Sequence, residues 1–284
     1  MLAFCKTLGF FAFIAVWCSV PAAAQTIRAG ERLELRLEYK SEYAEDGQSS
    51  GSARGHQSVI LRVIADRDGG HELEYGLPDT ATDRDRLREW QLPARIFLAA
   101  DGTVSLLNPA ELEVRRDRFL KAIGVTAEAC GRWIFTWNAF KIECDPQSVL
   151  RMLKQYELQP RNLAEGTMFS ADRALGSAPI QCRAGTTGEK HCTVTLPLDP
   201  DGLRRELAET DVAVGEMTGA PVGLDEATRT HAATHITGTI TITFDLAADG
   251  AVTRKTTVTK VQQRKADGRT RTSISTRILT GTRL

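Results

Sequence analysis

Thr234–Leu284 reads THITGTITITFDLAADGAVTRKTTVTKVQQRKADGRTRTSISTRILTGTRL. Ile236, Ile240, Ile242, Phe244 and Leu246 stand at even positions, and Thr237, Thr239, Thr241 and Thr243 fill the odd ones. A period of two, rich in β-branched residues, is the pattern of a strand that buries one face. Asp249-Gly250 supplies a turn that tolerates positive φ. Val252–Lys265 runs back, Asp267-Gly268 turns again, and Thr270–Leu284 closes a three-stranded antiparallel meander.

Working outward, Leu33, Leu35, Leu37 and Tyr39 alternate with charged residues and predict an amphipathic strand. Glu45–Gly55 is Gly/Ser-rich and reads as a flexible connection. Ser58–Ile64 and His71–Leu77 are further strands on either side of Asp68-Gly69-Gly70. Thr82–Glu89 fits a short helix, and Ile96–Leu98 with Thr103–Leu107 a hairpin across Asp101-Gly102. Asn108-Pro109 opens a helix to Ile123, with proline at its first position. Asp145-Pro146 opens another, with Val149, Leu150, Leu153 and Tyr156 inward. Arg132–Ile142 is a short apolar run that periodicity leaves open between strand and helix. His191–Leu198 reads as a strand, Asp199-Pro200 as the start of a short helix to about Glu209, and Asp211–Thr230 as loop. The class is therefore α+β: mainly antiparallel, curved β-sheet with two to three packed helices. Leu98–Val104 and Leu246–Val252 share six of seven residues. That echo admits a duplication with a boundary near residue 158, or simply two uses of a good turn.

Residues 1–24 have the form of a secretory signal: Lys6, an apolar run from Leu8 to Val20, and Ala22-Ala23-Ala24 before Gln25. The run is shorter than the roughly 20 residues of a membrane span, and the bulky Trp17 before Cys18 argues against a lipoprotein signal. Residues 25–284 then form a single exported domain, periplasmic or secreted, with no later transmembrane segment. Four cysteines remain, and an even number in an exported chain reads as two disulfides. The nearest pairs are Cys130–Cys144 and Cys182–Cys192, one of three possible connectivities. A zinc site with His191, His231 and His235 is disfavoured, because Cys182 and Cys192 lack the close spacing of structural zinc ligands. No metal or other cofactor is expected.

From Ala251 onward nine basic residues face one acid, a net +8, whereas Gln25–Gly250 carries 26 basic residues and 35 acids, a net −9. Such asymmetry suits an anionic partner. Placing Arg271 and Arg277 opposite Ile274 and Ile278, and Lys255 opposite Val252 and Val258, sends all three to a solvent face. That face would meet anionic lipid or lipopolysaccharide headgroups; nucleic acid is not expected for an exported chain. The bland alternative is neutralisation across the sheet by Glu34, Glu38 and Glu42. Trp133, Trp137 and Phe140 form an aromatic cluster that serves either as the wall of an apolar pocket or as ordinary core beside a disulfide.

Catalytic templates fail. Gly47-Gln-Ser-Ser-Gly51 matches the nucleophile elbow only as a string, since no helix-forming segment follows. His231 and His235 lack the glutamate of a metalloprotease helix, and His71-Glu72 lacks a second histidine at Tyr75. His231 and His235 read instead as part of the threonine-rich face of the strand. Dinucleotide and phosphate-loop glycine patterns are absent. The sequence therefore points to a non-catalytic binding or carrier protein of the cell envelope, with an anionic amphiphile as its ligand. The alternative is an exported hydrolase whose carboxylate or serine site is dispersed along the chain.

Overall fold

The computed structural model describes residues 28–67, 69–135, 139–160, 162–185, 188–265 and 267–284, without the side chains of 49, 50, 134, 135, 139 and 140. The expected signal segment and Trp137 lie outside these residues. In chain order the strands are β1 (Arg32–Glu45), β2 (Gln48–Arg67), β3 (Gly70–Gly76), β4 (Ala94–Ala99), β5 (Val104–Leu106), β6 (Trp133–Phe135), β7 (Ala139–Lys141), β8 (Met168–Ser170), β9 (Ser177–Pro179), β10 (Gln181–Ala184), β11 (Lys190–Pro197), β12 (His235–Leu246), β13 (Val252–Arg264) and β14 (Thr270–Arg283). The helices are α1 (Asp83–Arg88), α2 (Pro109–Ala122), α3 (Ser148–Leu153), α4 (Pro200–Thr218) and α5 (Leu224–His231). A 3-10 turn, Lys154–Tyr156, continues α3.

Ten strands form one curved antiparallel sheet in the order β10-β11-β12-β13-β14-β1-β2-β3-β4-β5. Two meanders thus meet where β1 pairs with β14, with Leu37 opposite Leu279 and Tyr39 opposite Arg277. The α+β class and the C-terminal meander are as the sequence predicts. Strand alternation gives the sheet an inner face that carries two apolar cores. In the first, Leu35, Leu37, Val59, Leu61, Leu73 and Ile96 of the sheet pack against Trp90, Leu112 of α2, and Val149 and Leu153 of α3. In the second, Val194, Leu196, Ile240, Ile242 and Phe244 pack against Ile180, Phe169 of β8 and Leu203 of α4. Phe244 is fully buried and meets Phe169 edge to face, ring centroids 5.8 Å apart.

Both disulfides form as paired by proximity. Cys130–Cys144 closes the segment holding β6 and β7, and Cys182–Cys192 bolts the edge strand β10 to β11. Closing loops of that length contributes about 3 kcal/mol each in the chain-entropy model. The pairing also fits an oxidising compartment.

Three local expectations change. The Gly/Ser-rich tract is a strand, not a flexible connection. Asp46 (φ 49°) and Gly47 (φ 80°) make a two-residue turn that matches the twist of a tight hairpin, and β2 pairs with β1 throughout. The glycines have a structural reason: a Cβ on Gly55 would lie 2.3 Å from the Tyr39 hydroxyl, and one on Gly51 would lie 2.6 Å from the Tyr43 ring. Two tyrosine rings of β1 therefore lie flat on glycines of β2, restoring the packing that glycine lacks. Ser49 sits in this ladder, so the strand-turn-helix of a nucleophile elbow is not there. The predicted loop 211–230 is mostly helix. Asp199 caps α4, which runs on to Thr218 and stops at Gly219 (φ 73°), and α5 follows. Together with α1 to α3 this makes five α-helices among the described residues, more than the two to three expected. The ambiguous segment 132–142 is a hairpin of two short strands, Trp133 opposite Lys141.

Glu72 of β3 is inaccessible to solvent and held between Arg95 and Arg67. The Arg95 hydrogen bond, opposed by burial and helped by Arg67, holds its carboxyl below the usual glutamate range.

Candidate functional site

Between the two cores the inner face changes character. Lys255, Thr257 and Thr259 of β13 lie beside Arg277 and Ser275 of β14, through the pairs Lys255–Leu279, Thr257–Arg277 and Thr259–Ser275. Facing them are Arg151, Lys154, Gln155 and Glu157 from the end of α3 and its 3-10 turn, and Phe169–Arg173 from β8 and the loop after it. With Leu37, Ile240, Ile242 and Leu279 also on its walls, the space between them is an open cleft of about 690 Å3 with mixed polar and apolar walls. Next to it, under β1–β5, lies an apolar cavity of about 570 Å3 lined by leucines 33, 35, 61, 73, 98, 150, 153 and 158 with Ile96, Tyr75 and Tyr156. Lys154 and Glu157 line both spaces.

The cleft is cationic. Five basic side chains, Arg151, Lys154, Arg173, Lys255 and Arg277, line it against two carboxylates, Glu157 and Asp172. Arg151 pairs with Glu143 at 3.2 Å and Arg173 with Glu206 at 2.9 Å. Among the described residues Lys154, Lys255 and Arg277 have no carboxylate at ion-pairing distance. Lys255 donates to the backbone carbonyl of Glu157 at 2.9 Å and lies 5.9 Å from the centre of the Phe244 ring. Burial pulls its ammonium below the usual lysine range, with Glu157 and Asp172 pulling weakly the other way. A half-buried cation without a carboxylate is costly in a folded protein, and such costs concentrate at functional sites. Arg173 adds a second one: its φ of 68° is left-handed, about 1 kcal/mol unfavourable for a residue with a side chain. In the cavity, burial pushes the hydroxyls of Tyr75 and Tyr156 up to about 12, so both remain proton donors. Tyr156 donates to Gln57 at 3.2 Å.

The structure brings Lys255 and Arg277 together, as the sequence reading grouped them, but on the inner face. Register puts Arg277 and Arg271 on the side of Leu279, while Ile274 is 46% exposed on the outer side. The inner and outer sides are therefore exchanged, although Arg271 and Arg277 lie opposite Ile274 and Ile278 and are exposed, as expected. Arg271 lies farther along the strand, its guanidinium 4.6 Å from the centre of the Tyr43 ring. On the first strand Glu38 pairs with Arg36 and Glu42 with Lys40, within β1 itself, while Glu45 pairs with Lys265 and Arg269 of the basic tail. Trp133 is half-buried on β6, Phe140 is on β7, and the apolar cavity described above is lined by other residues. His231 ends α5 and bonds Asp211 of α4 at 2.8 Å, whereas His235 opens β12, so the two imidazoles do not share a face. Lys154 escaped the sequence reading because a lone lysine at a helix end is ordinary surface; only the cleft gives it a role.

No family model and no curated protein matches the chain. Among solved structures, one of lipovitellin, described as "Lipid-protein interactions in lipovitellin", aligns with a TM-score of 0.44 at 8% identity, covering 90% of this chain and 25% of that one. The chain thus spans about a quarter of the lipovitellin chain. The dehydratase domain of RzxB from Pseudomonas fluorescens aligns with a TM-score of 0.12 at 12% identity, covering 91% of this chain and 79% of that one. Neither likeness is close enough to bear on function.

Proposed function

We propose that this chain is a non-catalytic binding or carrier protein of the cell envelope, periplasmic or secreted, whose ligand is an anionic amphiphile. The observation that carries the reading is the adjacency of a cationic cleft, in which Lys154, Lys255 and Arg277 have no ion-paired carboxylate among the described residues, to a leucine-lined cavity. An amphiphile matches both at once: its chain removes apolar surface from water in the cavity, and its head adds an anion to a cleft where five cations face two carboxylates. Thr257, Thr259 and Ser275 add hydroxyl donors for head-group oxygens. Anionic phospholipid or lipopolysaccharide components are the envelope molecules with this chemistry.

The test has two parts. Protein purified from its own compartment is extracted and the extract analysed by mass spectrometry for a stoichiometric amphiphile. Displacement of a fluorescent fatty acid is then measured for the wild type and for the double variant Lys255→Gln, Arg277→Gln. Losing two charge-assisted contacts should weaken binding at least tenfold, with no fall in the melting temperature. Equal affinity in the double variant, or turnover of model esters abolished by a single substitution, would replace this reading with another.

A further inference from the structure

We propose that Ser52–Ser58 of β2 is a docking edge for an extended segment of a partner protein, which joins the sheet as one more strand. The inference stands apart from the ligand reading and rests on where β3 stops. β2 pairs with β1 along its length, but with β3 only from Ile60 onward, opposite Gly76. Continuing that register would set Ser58 opposite Pro78, which has no N–H to give, and the chain leaves there toward α1. The direction of the freed groups follows from the ladder. Val63 donates to the Glu31 carbonyl at 2.9–3.0 Å geometry typical of a ladder bond, at 3.0 Å, so odd residues of β2 aim their backbone groups at β1 and even ones away from it. Ile60 and Arg62 meet β3 in this way. Among the described residues, nothing meets the outward backbone groups of Ser52, Arg54, His56 and Ser58.

Very short edge strands, bulges and prolines are the ordinary defences of a sheet edge. The two ends of this sheet have them: β5 is three residues long, and β10 is four and bolted by a disulfide. The β2 edge has no proline from Ser52 to Ser58, its bulge lies beyond, at Tyr43/Ala44, and Arg54 is its single formal charge. Ser52, Arg54 and His56 are exposed. The slot opens onto a hollow whose walls include Val59, Leu77, Leu92, Met152 and Tyr156, an apolar seat for alternate side chains of an added strand. Glu34, Asp85 and Glu89 lie around it against one arginine, Arg88, which already pairs with Asp85 at 3.5 Å and Glu89 at 3.0 Å. The fit is therefore a peptide that alternates apolar and polar residues and has basic flanks. Main-chain hydrogen bonds would supply its affinity and the hollow its selectivity. A second copy of β2 fits less well, because it would offer the hollow only Gly51, Ala53 and Gly55.

The experiment follows amide hydrogen exchange of the full protein with and without a saturating capped hexapeptide, Lys-Val-Thr-Val-Thr-Lys. Exchange at Ser52, Arg54, His56 and Ser58 should slow about tenfold as each amide gains a hydrogen bond. Ala53, Gly55 and Gln57, already turned to β1, should hardly change. The same peptide with glutamate flanks should lose most of the protection, and one N-methylated along either edge in turn should lose it from one of the two. His56→Pro removes one outward N–H and leaves the β1 ladder whole, as proline on an edge does. It should keep the melting temperature and bind the plain peptide about tenfold more weakly; the N-methylated peptides decide the matter even if that variant fails to fold. Three results would overturn the proposal: no protection at the four amides, equal protection by both N-methylated peptides, or protection in the free protein that grows with its own concentration, the mark of a second copy in the slot.

Discussion

Under β11–β13 the sheet meets Phe169, and the space beneath it closes around Phe244. Under β1–β4 the same inner face meets Leu150, Leu153 and Tyr156, and about 570 Å3 stays open. Charge divides the other way. Glu72, on the half with the open space, is sealed between two arginines, whereas Lys255, beside the filled core, is half-buried against a carbonyl and the Phe244 ring. A filled core and a satisfied charge serve stability. An open core and an unsatisfied charge lower it, and they lie side by side, which is the arrangement expected where a ligand completes the fold.

The contrast can be broken from the filled side first. Phe244→Ala should open a cavity in the second core, at a cost of about 3–5 kcal/mol in urea denaturation. It should also let a small apolar probe such as xenon enter where the wild type excludes it. Next, Glu72→Gln should cost about 2 kcal/mol at neutral pH by losing charge-assisted bonds to Arg95 and Arg67. Because the folded-state pKa of Glu72 is depressed, its contribution is complete above the ordinary value of 4.5 and is lost as pH falls through the lower folded value. Melting temperature should therefore drop more steeply with acid in the wild type than in the variant.

The smallest effect should have the opposite sign. Lys255→Met removes a poorly compensated buried charge and should leave stability unchanged or raise it by up to about 1 kcal/mol, while binding of an anionic amphiphile collapses. The unfolded chain holds the Lys255 proton more tightly than the folded one. Wild-type stability should thus rise as pH climbs through the lowered folded pKa toward the ordinary 10.5, a rise that a melting series on the variant should lack. A clear loss of stability at neutral pH would make Lys255 a structural charge like Glu72 and erase the distinction between the two charges.

Much of the first comparison is legible in the sequence. The C-terminal meander shows itself because one face of β12 is core apart from Gly238, so Ile236 and Ile240 to Leu246 alternate with polar residues. The Asp-Gly turns and the cysteine spacing carry their own local chemistry. What escapes is whatever depends on a neighbour. The tract 45–55 becomes a strand only because Tyr39 and Tyr43 lie over Gly55 and Gly51, although Asp46-Gly47 was a hairpin signal in plain view. The second half of α4 buries Ala208, Ala213 and Gly215, residues too small to write an apolar stripe. The faces of Arg271 and Arg277 came out reversed for a related reason. Ile274 and Ile278 look like the inward residues, yet the inward surface at the centre of the sheet opens into a cleft that mixes cations with leucines and isoleucines, so hydrophobicity alone does not mark the inner face there. Lys255 and Arg277 were thus found by their charge, and their surroundings could be found only by the fold.

The pairing of β1 with β14 has a consequence for the order of assembly. β14 is translated after every other strand of the sheet, yet it is the strand that lies between the two meanders and supplies Arg277 and Leu279 to the space between them. Until it arrives, β1 and β13 are long unpaired edges more than 200 residues apart in sequence. Such late, distant pairing slows folding and leaves strand edges open to wrong partners. The two edges must therefore be kept from premature pairing through nearly the whole synthesis of the chain, and the cleft between the meanders is completed only at the last step.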